Sequence, residues 1–95
     1  QDYRALVLVK PQFEVGKGNV PQGGVVRDPA LHAEAIRTVA AAIRQRAGRI
    51  LAVVPSRLIG PKGNREFFLV VDGPEREPAP RLDLEQAIAD ATGSR

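Results

Sequence analysis

The sequence contains no cysteine, no methionine and no tryptophan, and aromatic residues make up only 4% of its 95 positions. Without cysteine the chain can form no disulfide framework, and it can offer no thiolate as a nucleophile or a metal ligand. No apolar run approaches the roughly 18 residues that a membrane-spanning helix requires. These absences exclude disulfide-stabilised domains, cysteine-dependent enzymes and helical membrane spans as interpretations of this chain.

The small size of the chain limits what it can enclose. Ninety-five residues form at most one small domain, which buries only about 60 to 65% of the surface of its unfolded chain. A large active-site cleft formed wholly by these residues is therefore not expected. The chain begins without methionine, and its first predicted strand follows almost directly after Gln1. We therefore expect it to be the C-terminal part of a larger protein.

The excess of positive charge is modest, with 14 lysine and arginine residues against 11 aspartate and glutamate residues and a formal net charge of +3. An excess of this size permits nucleic-acid binding without requiring it, because an arginine-rich genome produces the same imbalance. Composition alone leaves both interpretations open.

The first predicted strand, Tyr3 to Val9, leads directly into a lysine. Ala5 to Val9 is uninterrupted apolar sequence, which predicts a strand covered on both faces, as at the centre of a parallel sheet. Pro11 has no N–H and ends the ladder, which places Lys10 at the carboxyl end of the strand. Because open α/β sheets bind their ligands at that edge, Lys10 is a candidate functional residue.

A helix is predicted between Asp28 and Gly48. Asp28 is a preferred N-cap residue, Pro29 suits the first helical position, and Gly48 gives a C-terminal stop. The apolar positions recur at helical spacing on one face. They are Ile36, Val39, Ala40, Ile43 and Ala47. This pattern indicates an amphipathic crossover helix, preceded by a long glycine-rich loop from Glu14 to Arg27.

The remainder of the chain predicts two further strands and a short helix. The strands are Arg49 to Val54 and Glu66 to Val71, and the loop between them is too short for a helix, so they are antiparallel. Asp83 as N-cap and Gly93 as C-terminal stop bound the last helix. The sequence thus predicts an α/β fold in the order strand, helix, strand, antiparallel strand and C-terminal helix, with a parallel crossover between the first two strands.

The predicted topology brings an acid and a base to one edge of the sheet. Because the third strand runs antiparallel to the first, it starts at the edge where the first strand ends. Glu66 opens the third strand at the head of an otherwise apolar file, so its carboxylate is expected to have a partner, and Lys10 is the obvious candidate.

Two interpretations of this pair remain open. In the first, Lys10 and Glu66 form an ordinary salt bridge at the sheet edge, worth roughly 0 to 1 kcal/mol. In the second, Glu66 orients Lys10 beside a substrate hydroxyl, and Lys10 accepts its proton or stabilises the developing oxyanion. An ordinary lysine is a poor base at neutral pH, and a paired glutamate makes it poorer. Charge stabilisation and orientation are therefore the roles that we assign to Lys10.

Three segments of the sequence share one resemblance. They are Val9 to Glu14, Gly23 to Pro29 and Gly60 to Phe68. In this order and spacing they resemble the C-terminal half of the TlyA-type haemolysin and rRNA methyltransferase family, whose members are similar to FtsJ-like 2′-O-methyltransferases. The resemblance covers residues 3 to 72. It implies that residues 1–73 are the C-terminal half of a methyltransferase domain with a Rossmann-like sheet, and that residues 74–95 are a proline-rich linker and a short helical tail.

The resemblance also implies a reaction. Members of this family use S-adenosylmethionine to methylate the ribose of cytidine in ribosomal RNA, with a catalytic set of two lysines, an aspartate and a glutamate. Lys10 matches the second lysine of that set and Glu66 matches the glutamate. The other two members and the glycine-rich cofactor turn belong to a part of the family that this chain does not contain. We therefore expect the chain alone to be inactive, with the S-adenosylmethionine site largely outside it.

Five residues are candidates for contact with ribosomal RNA, because they lie in loops at or near the same edge. They are Phe13, Lys17, Arg57, Lys62 and Arg65. The alternative interpretation of each cation is an ordinary solvated loop residue. The alternative for Phe13 is a side chain that packs in the core as a plug. The resemblance further implies ribosomal subunits as partners and a cytoplasmic protein.

A second function is compatible with the same sheet edge. The alternative is an RNA-binding or assembly module without catalysis, and the residues that precede Gln1 would distinguish the two. Direct membrane lysis is poorly supported, because neither predicted helix combines a strong apolar face with a dense basic one. If the preceding strands are absent, the first strand exposes one edge and both apolar faces, so we expect the isolated chain to self-associate or exchange strands.

Overall fold

A computed structural model describes residues 2–59, 61–74 and 82–93 of the chain. Within these residues the chain forms strands, α-helices and two short 3-10 turns. The strands are β1 (Tyr3–Val9), β2 (Arg49–Pro55) and β3 (Phe67–Gly73), the helices are α1 (Pro11–Glu14), α2 (Pro29–Gln45) and α3 (Leu84–Thr92), and the turns are Lys17–Asn19 and Pro61–Gly63. None of these helices has the length and apolar character to cross a bilayer.

The strands form one sheet in the order β1-β3-β2, with β3 antiparallel to both of its neighbours. β1 and β2 therefore run in the same direction, as expected for a crossover through α2, but they are separated by β3. The ladder between β1 and β3 extends from Tyr3 opposite Gly73 to Val9 opposite Phe67. The predicted α/β fold, with its antiparallel last strand and C-terminal helix, is confirmed.

β1 lies at an edge of this sheet, so the prediction of a strand at the centre of a parallel sheet is wrong for the described residues. One face of β1 packs on the core, where Val9 is fully buried and Val7 contacts the core cluster. The other face is open, with Leu6 68% exposed and Leu8 41% exposed. An uninterrupted apolar run indicates that a strand suits burial on both faces, but it does not supply the element that would cover the second face.

α2 begins as its sequence predicts and packs its apolar stripe inward. The Asp28 side chain accepts a hydrogen bond from the Ala30 N–H at 2.9 Å, and Pro29 occupies the first helical position. Ile36 and Ala40 are fully buried in the core cluster. The cap and the stripe therefore determine both where α2 starts and which face it turns to the sheet.

The C-terminal end of α2 differs from the prediction. The helix ends at Gln45, and Ala47 is exposed with φ of 61°, so its assignment to the apolar face is wrong. Gly48 follows and donates its N–H to the Ile43 carbonyl at 3.0 Å. A Cβ at position 48 would overlap the Ile43 side chain. Gly48 is thus required for close packing, while the left-handed position of the turn is taken by Ala47.

The core lies between the sheet and the two longer helices. Phe67, Leu69 and Val71 alternate along β3 with half-buried residues, and none of the three is more than 2% exposed. Ile88 of α3 is 1% exposed and belongs to the same cluster. The central strand therefore contributes one fully covered face to a core that both helices share.

α3 has the predicted boundaries. The Asp83 side chain accepts a hydrogen bond from the Gln86 N–H at 3.1 Å, and Gly93 ends the helix with φ of 73°. Arg37 of α2 donates to both carboxylate oxygens of Glu85, and these hydrogen bonds lower the pKa of the Glu85 carboxyl. Because both side chains are more than half exposed, this ion pair adds little to stability.

A second ion pair links β2 to β3 at the end of the sheet that lies away from Lys10. Arg49 and Asp72 stand opposite each other in the ladder between β2 and β3. Arg49 Nε and Nη2 donate to the two Asp72 carboxylate oxygens at 2.8 and 2.7 Å. These hydrogen bonds lower the pKa of the Asp72 carboxyl. At this end of the sheet, the charges of Arg49 and Asp72 therefore compensate each other.

The predicted proline-rich linker begins at Pro74, and its residues 75–81 lie outside the described part of the chain. The division into residues 1–73 and 74–95 therefore remains a prediction. Within the described part, α3 contacts β2 and α2.

Candidate functional site at one edge of the sheet

One edge of the sheet brings together the ends of two strands and the start of the third. β1 ends at Val9 and β2 at Pro55, and both residues pair with Phe67, the first residue of β3. The described residues of the adjoining segments 10–28 and 56–66 therefore approach the same edge. This edge is formed by the ends of the strands and is distinct from the lateral edge that β1 forms. We call it, together with its two segments, the rim.

Lys10 and Glu66 meet at the rim, as the predicted topology requires. Lys10 Nζ lies 3.9 Å from Glu66 Oε2. This separation is too long for a hydrogen bond, for which N···O distances of about 2.7–3.2 Å are usual. The Lys10 side chain is 40% exposed, whereas that of Glu66 is only 12% exposed. The two charges are therefore close, and each retains the capacity to bond to a third group.

Two buried oxygen atoms at the rim have no hydrogen-bond partner among the described residues. They are Glu66 Oε2 and Gln12 Oε1. Gln12 lies in α1, a single helical turn that begins at Pro11 and that the sequence reasoning assigned to no element. Because buried acceptors in folded proteins are nearly always satisfied, both atoms mark places where a donor from a ligand or from water is expected. The only sequence signals for Gln12 were its position two residues after Lys10 and its place in the segment Val9 to Glu14 that carries the family resemblance.

Asn64 joins the two segments of the rim. It is buried, its Oδ1 accepts a hydrogen bond from the Val26 N–H at 2.9 Å, and its Nδ2 donates to the Gly24 carbonyl at 2.8 Å. His32, in the first turns of α2, is also buried and donates from Nε2 to the Val26 carbonyl at 2.7 Å. Sequence reasoning assigned no function to Asn64, because an asparagine beside a glycine is typical of any turn.

The structure describes four of the five predicted RNA-binding side chains, and all four are exposed. Arg57, Lys62 and Arg65 lie in the second rim segment and form no ion pair among the described residues. Phe13 is 75% exposed, so it is not a plug of the core. Lys17 begins the first 3-10 turn, and its side chain lies outside what the structure describes. Contact of these residues with RNA stays a prediction.

The net charge of the chain is concentrated at the rim. Segments 10–28 and 56–66 contain six cationic and three acidic residues. The cations are Lys10, Lys17, Arg27, Arg57, Lys62 and Arg65, and the acids are Glu14, Asp28 and Glu66. This local excess equals the formal net charge of +3 of the whole chain. All other positions balance, so the modest excess in composition comes from the two rim segments rather than from a general bias.

The described residues do not fit an adenosyl cofactor. α/β sheets hold such groups with a glycine-rich turn between a strand and a helix and with a carboxylate on the ribose. Here β1 is followed by Lys10 and Pro11, without a glycine-rich turn, and the Asp28 carboxylate is occupied as the cap of α2. Glu66 is the enclosed carboxylate of the rim, and it faces Lys10. No cofactor site is therefore assigned to these residues.

Comparison with known protein families gives one match that covers most of the chain. The model of the family described as FtsJ-like methyltransferase matches residues 1–72. This range contains both segments of the rim and all but the last residue of β3.

Similar curated proteins carry rRNA methyltransferase names. The 16S/23S rRNA (cytidine-2'-O)-methyltransferase TlyA of Mycobacterium tuberculosis is 48% identical over 69 residues, which are 73% of this chain and 26% of that protein. YqxC of Bacillus subtilis, a candidate rRNA methyltransferase, is 30% identical over 90 residues, which are 90% of this chain and 32% of that protein. The chain thus spans about a quarter to a third of the length of these relatives.

Two solved structures share the fold. A hemolysin candidate from Lactococcus lactis superimposes with a TM-score of 0.80 at 27% identity, over 95% of this chain and 43% of that one. A hemolysin candidate from Streptococcus thermophilus gives a TM-score of 0.74 at 26% identity, over 95% of this chain and 33% of that one.

Proposed function

The chain belongs to the FtsJ-like methyltransferase family, and from this premise we propose that it is the part of an rRNA 2′-O-methyltransferase that contributes Lys10 and Glu66 to the reaction centre. The name of the M. tuberculosis relative supports a cytidine ribose in rRNA as the methyl acceptor. We further propose that the protein works in the cytoplasm, with ribosomal subunits as its partners.

The observation that carries this proposal is a buried carboxylate oxygen without a partner beside a lysine ammonium. Glu66 Oε2 lies 3.9 Å from Lys10 Nζ and accepts no hydrogen bond from the described residues. A ribose hydroxyl between them donates its hydrogen to Glu66 Oε2 and accepts one from the Lys10 ammonium. The hydroxyl gives up its proton to the Glu66 carboxylate in the course of methyl transfer, and the Lys10 ammonium stabilises the negative charge that develops on the acceptor oxygen.

S-adenosylmethionine, the methyl donor that the family resemblance implies, requires residues beyond those described. When bound, it supplies the electrophilic methyl group. Lys10 and Glu66 act on the acceptor hydroxyl alone, which is consistent with a chain that holds two of the four members of the family's catalytic set. We therefore propose that the 95-residue chain transfers no methyl group by itself.

The test uses a chimera in which this chain replaces the segment of M. tuberculosis TlyA that it matches, hereafter the TlyA chimera. With labelled S-adenosylmethionine and rRNA, we expect the TlyA chimera to transfer methyl groups. We expect the isolated chain to transfer no more label than a TlyA from which the matching segment has been deleted. Transfer by the isolated chain would overturn its proposed inactivity. A folded but inactive chimera would favour the alternative, an RNA-binding module without catalysis, which the charge of the rim supports equally.

Self-association of the isolated chain is a separate prediction. β1 is an edge strand of the sheet, and Leu6 on its open face is 68% exposed. Unpaired strand edges with apolar faces are templates for pairing with another chain. We expect dimers or larger species by light scattering as the concentration rises, and a shift towards monomer in Leu6→Lys, which places a charge on that face. An unaltered chain that stays monomeric at high concentration, with β1 amides protected from exchange, would contradict this expectation.

A further inference from the structure

The backbone of Val26 is held by buried side chains from two different parts of the chain. Its N–H donates to Asn64, and its carbonyl accepts from His32. Both side chains are 3% exposed, and Val26 itself is 1% exposed. Loss of either partner leaves a buried backbone group unpaired, which is costly. The first rim segment is therefore fixed to the residues that precede β3 as well as to α2.

The two rim segments also touch at Gly24. This residue has φ of 80°, and a Cβ there would stand 3.4 Å from Lys62 Nζ and 3.5 Å from Lys62 Cδ. The Lys62 side chain thus lies over Gly24, whose carbonyl is bonded to Asn64. Lys62 and Asn64 are two residues apart, so one short stretch of the second segment contacts the first through a cation and through a buried amide.

We propose that Asn64 is a positioning residue that locks the two rim segments into one RNA-binding surface, and that Arg27 is an RNA phosphate contact carried by this surface. The proposal rests on the proposed function and adds a residue to it. Arg27 follows Val26 directly, is exposed, and forms no ion pair among the described residues. Its backbone position is therefore set by the hydrogen bonds that Val26 makes.

The chemistry of the surface suits a phosphate chain. A guanidinium binds phosphate through parallel hydrogen bonds, and its binding is stronger when the backbone that carries the side chain does not have to be ordered on contact. Arg27 and Lys62 lie in the rim segments that contain the whole net charge of the chain. Asn64 contacts no phosphate in this arrangement, because its side-chain oxygen and its side-chain nitrogen are both bonded to backbone groups.

A double-mutant cycle on the 95-residue chain tests the proposal. The probe is a fluorescein-labelled single-stranded RNA that contains cytidines, and its affinity is measured by anisotropy at several salt concentrations. We expect Arg27→Ala to weaken binding about tenfold and to reduce the slope of log affinity against log salt by about 0.7. We expect Asn64→Ala to weaken binding, and Arg27→Ala to add less than about twofold in the Asn64→Ala background, since coupled residues are not additive.

Val71→Ala provides the matched control, because Val71 is buried in β3 away from the rim. In that background Arg27→Ala should retain its full effect. Full additivity of Arg27→Ala with Asn64→Ala, or the same coupling with Val71→Ala, would overturn the proposal. His32→Phe keeps an aromatic ring beside Phe67 and removes the bond to the Val26 carbonyl, so it tests the positioning of Arg27 by Val26 if Asn64→Ala fails to fold. An unaltered chain without RNA affinity contradicts this surface, while methyl transfer by the TlyA chimera is judged separately.

Discussion

Replacement of Lys10 by alanine in the TlyA chimera is expected to lower the rate of methyl transfer at saturating rRNA by about 10² to 10³. The reason is electrostatic, because the ammonium is the one cation within 4.0 Å of the Glu66 carboxylate among the described residues. It is also 40% exposed and thus accessible to a substrate. Without it, the negative charge that develops on the acceptor oxygen has no counter-charge from this chain. The measurement is kcat for transfer from labelled S-adenosylmethionine, with rRNA affinity determined in parallel.

The contrast between two lysines makes this expectation specific. Lys62→Ala should raise KM for rRNA and leave kcat nearly unchanged, because Lys62 lies over Gly24 and not beside Glu66. Arg44→Ala removes an exposed cation from the last turn of α2 and should change neither constant. Glu66→Gln should lower kcat, since it retains the size of the side chain but loses the carboxylate that orients the hydroxyl. If Lys10→Ala changed only KM, Lys10 would be a binding residue and the proposed reaction centre would be wrong.

Replacement of Phe67 by alanine is expected to destabilise the chain by about 3 to 5 kcal/mol, the usual cost of deleting a fully buried aromatic side chain. Phe67 is 1% exposed, opens β3, and pairs with residues of both β1 and β2. Its ring also packs against that of His32, with centroids 5.4 Å apart. Because small domains are stable by only about 5 to 15 kcal/mol, this loss removes a large share of the stability of the chain and should move the unfolding transition to a much lower urea concentration. Urea unfolding followed by far-UV circular dichroism at low micromolar concentration measures the change.

Phe13→Ala is the matched variant, since it removes the same side chain from a position that is 75% exposed. We expect it to change the free energy of unfolding by no more than about 0.5 kcal/mol. It should instead weaken RNA binding, because an exposed aromatic ring at the rim can stack on a base. Equal destabilisation by the two variants would show that Phe13 packs in the core after all.

The sequence was sufficient to predict the three strands, the two longer helices and the meeting of Lys10 with Glu66. Each of the two longer helices carries its own signals, with Asp28 and Asp83 as caps and glycine or a turn at the other end. The pair followed from topology, because an antiparallel third strand must start where the first strand ends. These are local patterns and connection rules, which can be recognised in a single sequence.

The edge position of β1 and the function of Asn64 were not predictable in this way. A run of apolar residues predicts burial, but whether Leu6 is covered depends on elements that the run does not encode. Asn64 is bonded to Gly24 and Val26, about 40 positions earlier, and nothing in the turn around it distinguishes a long-range bond from a local one. Both failures concern contacts between distant segments, which only the assembled fold determines.

The central position of β3 has a consequence for the order of events during synthesis. Every ladder of the described sheet includes β3, which is the last of the three strands to be made. While the ribosome is still translating the residues before Phe67, β1 and β2 have no strand between them to pair with. The described sheet therefore forms only when the third strand emerges, and the segment that brings Glu66 to Lys10 is the same one that completes the sheet.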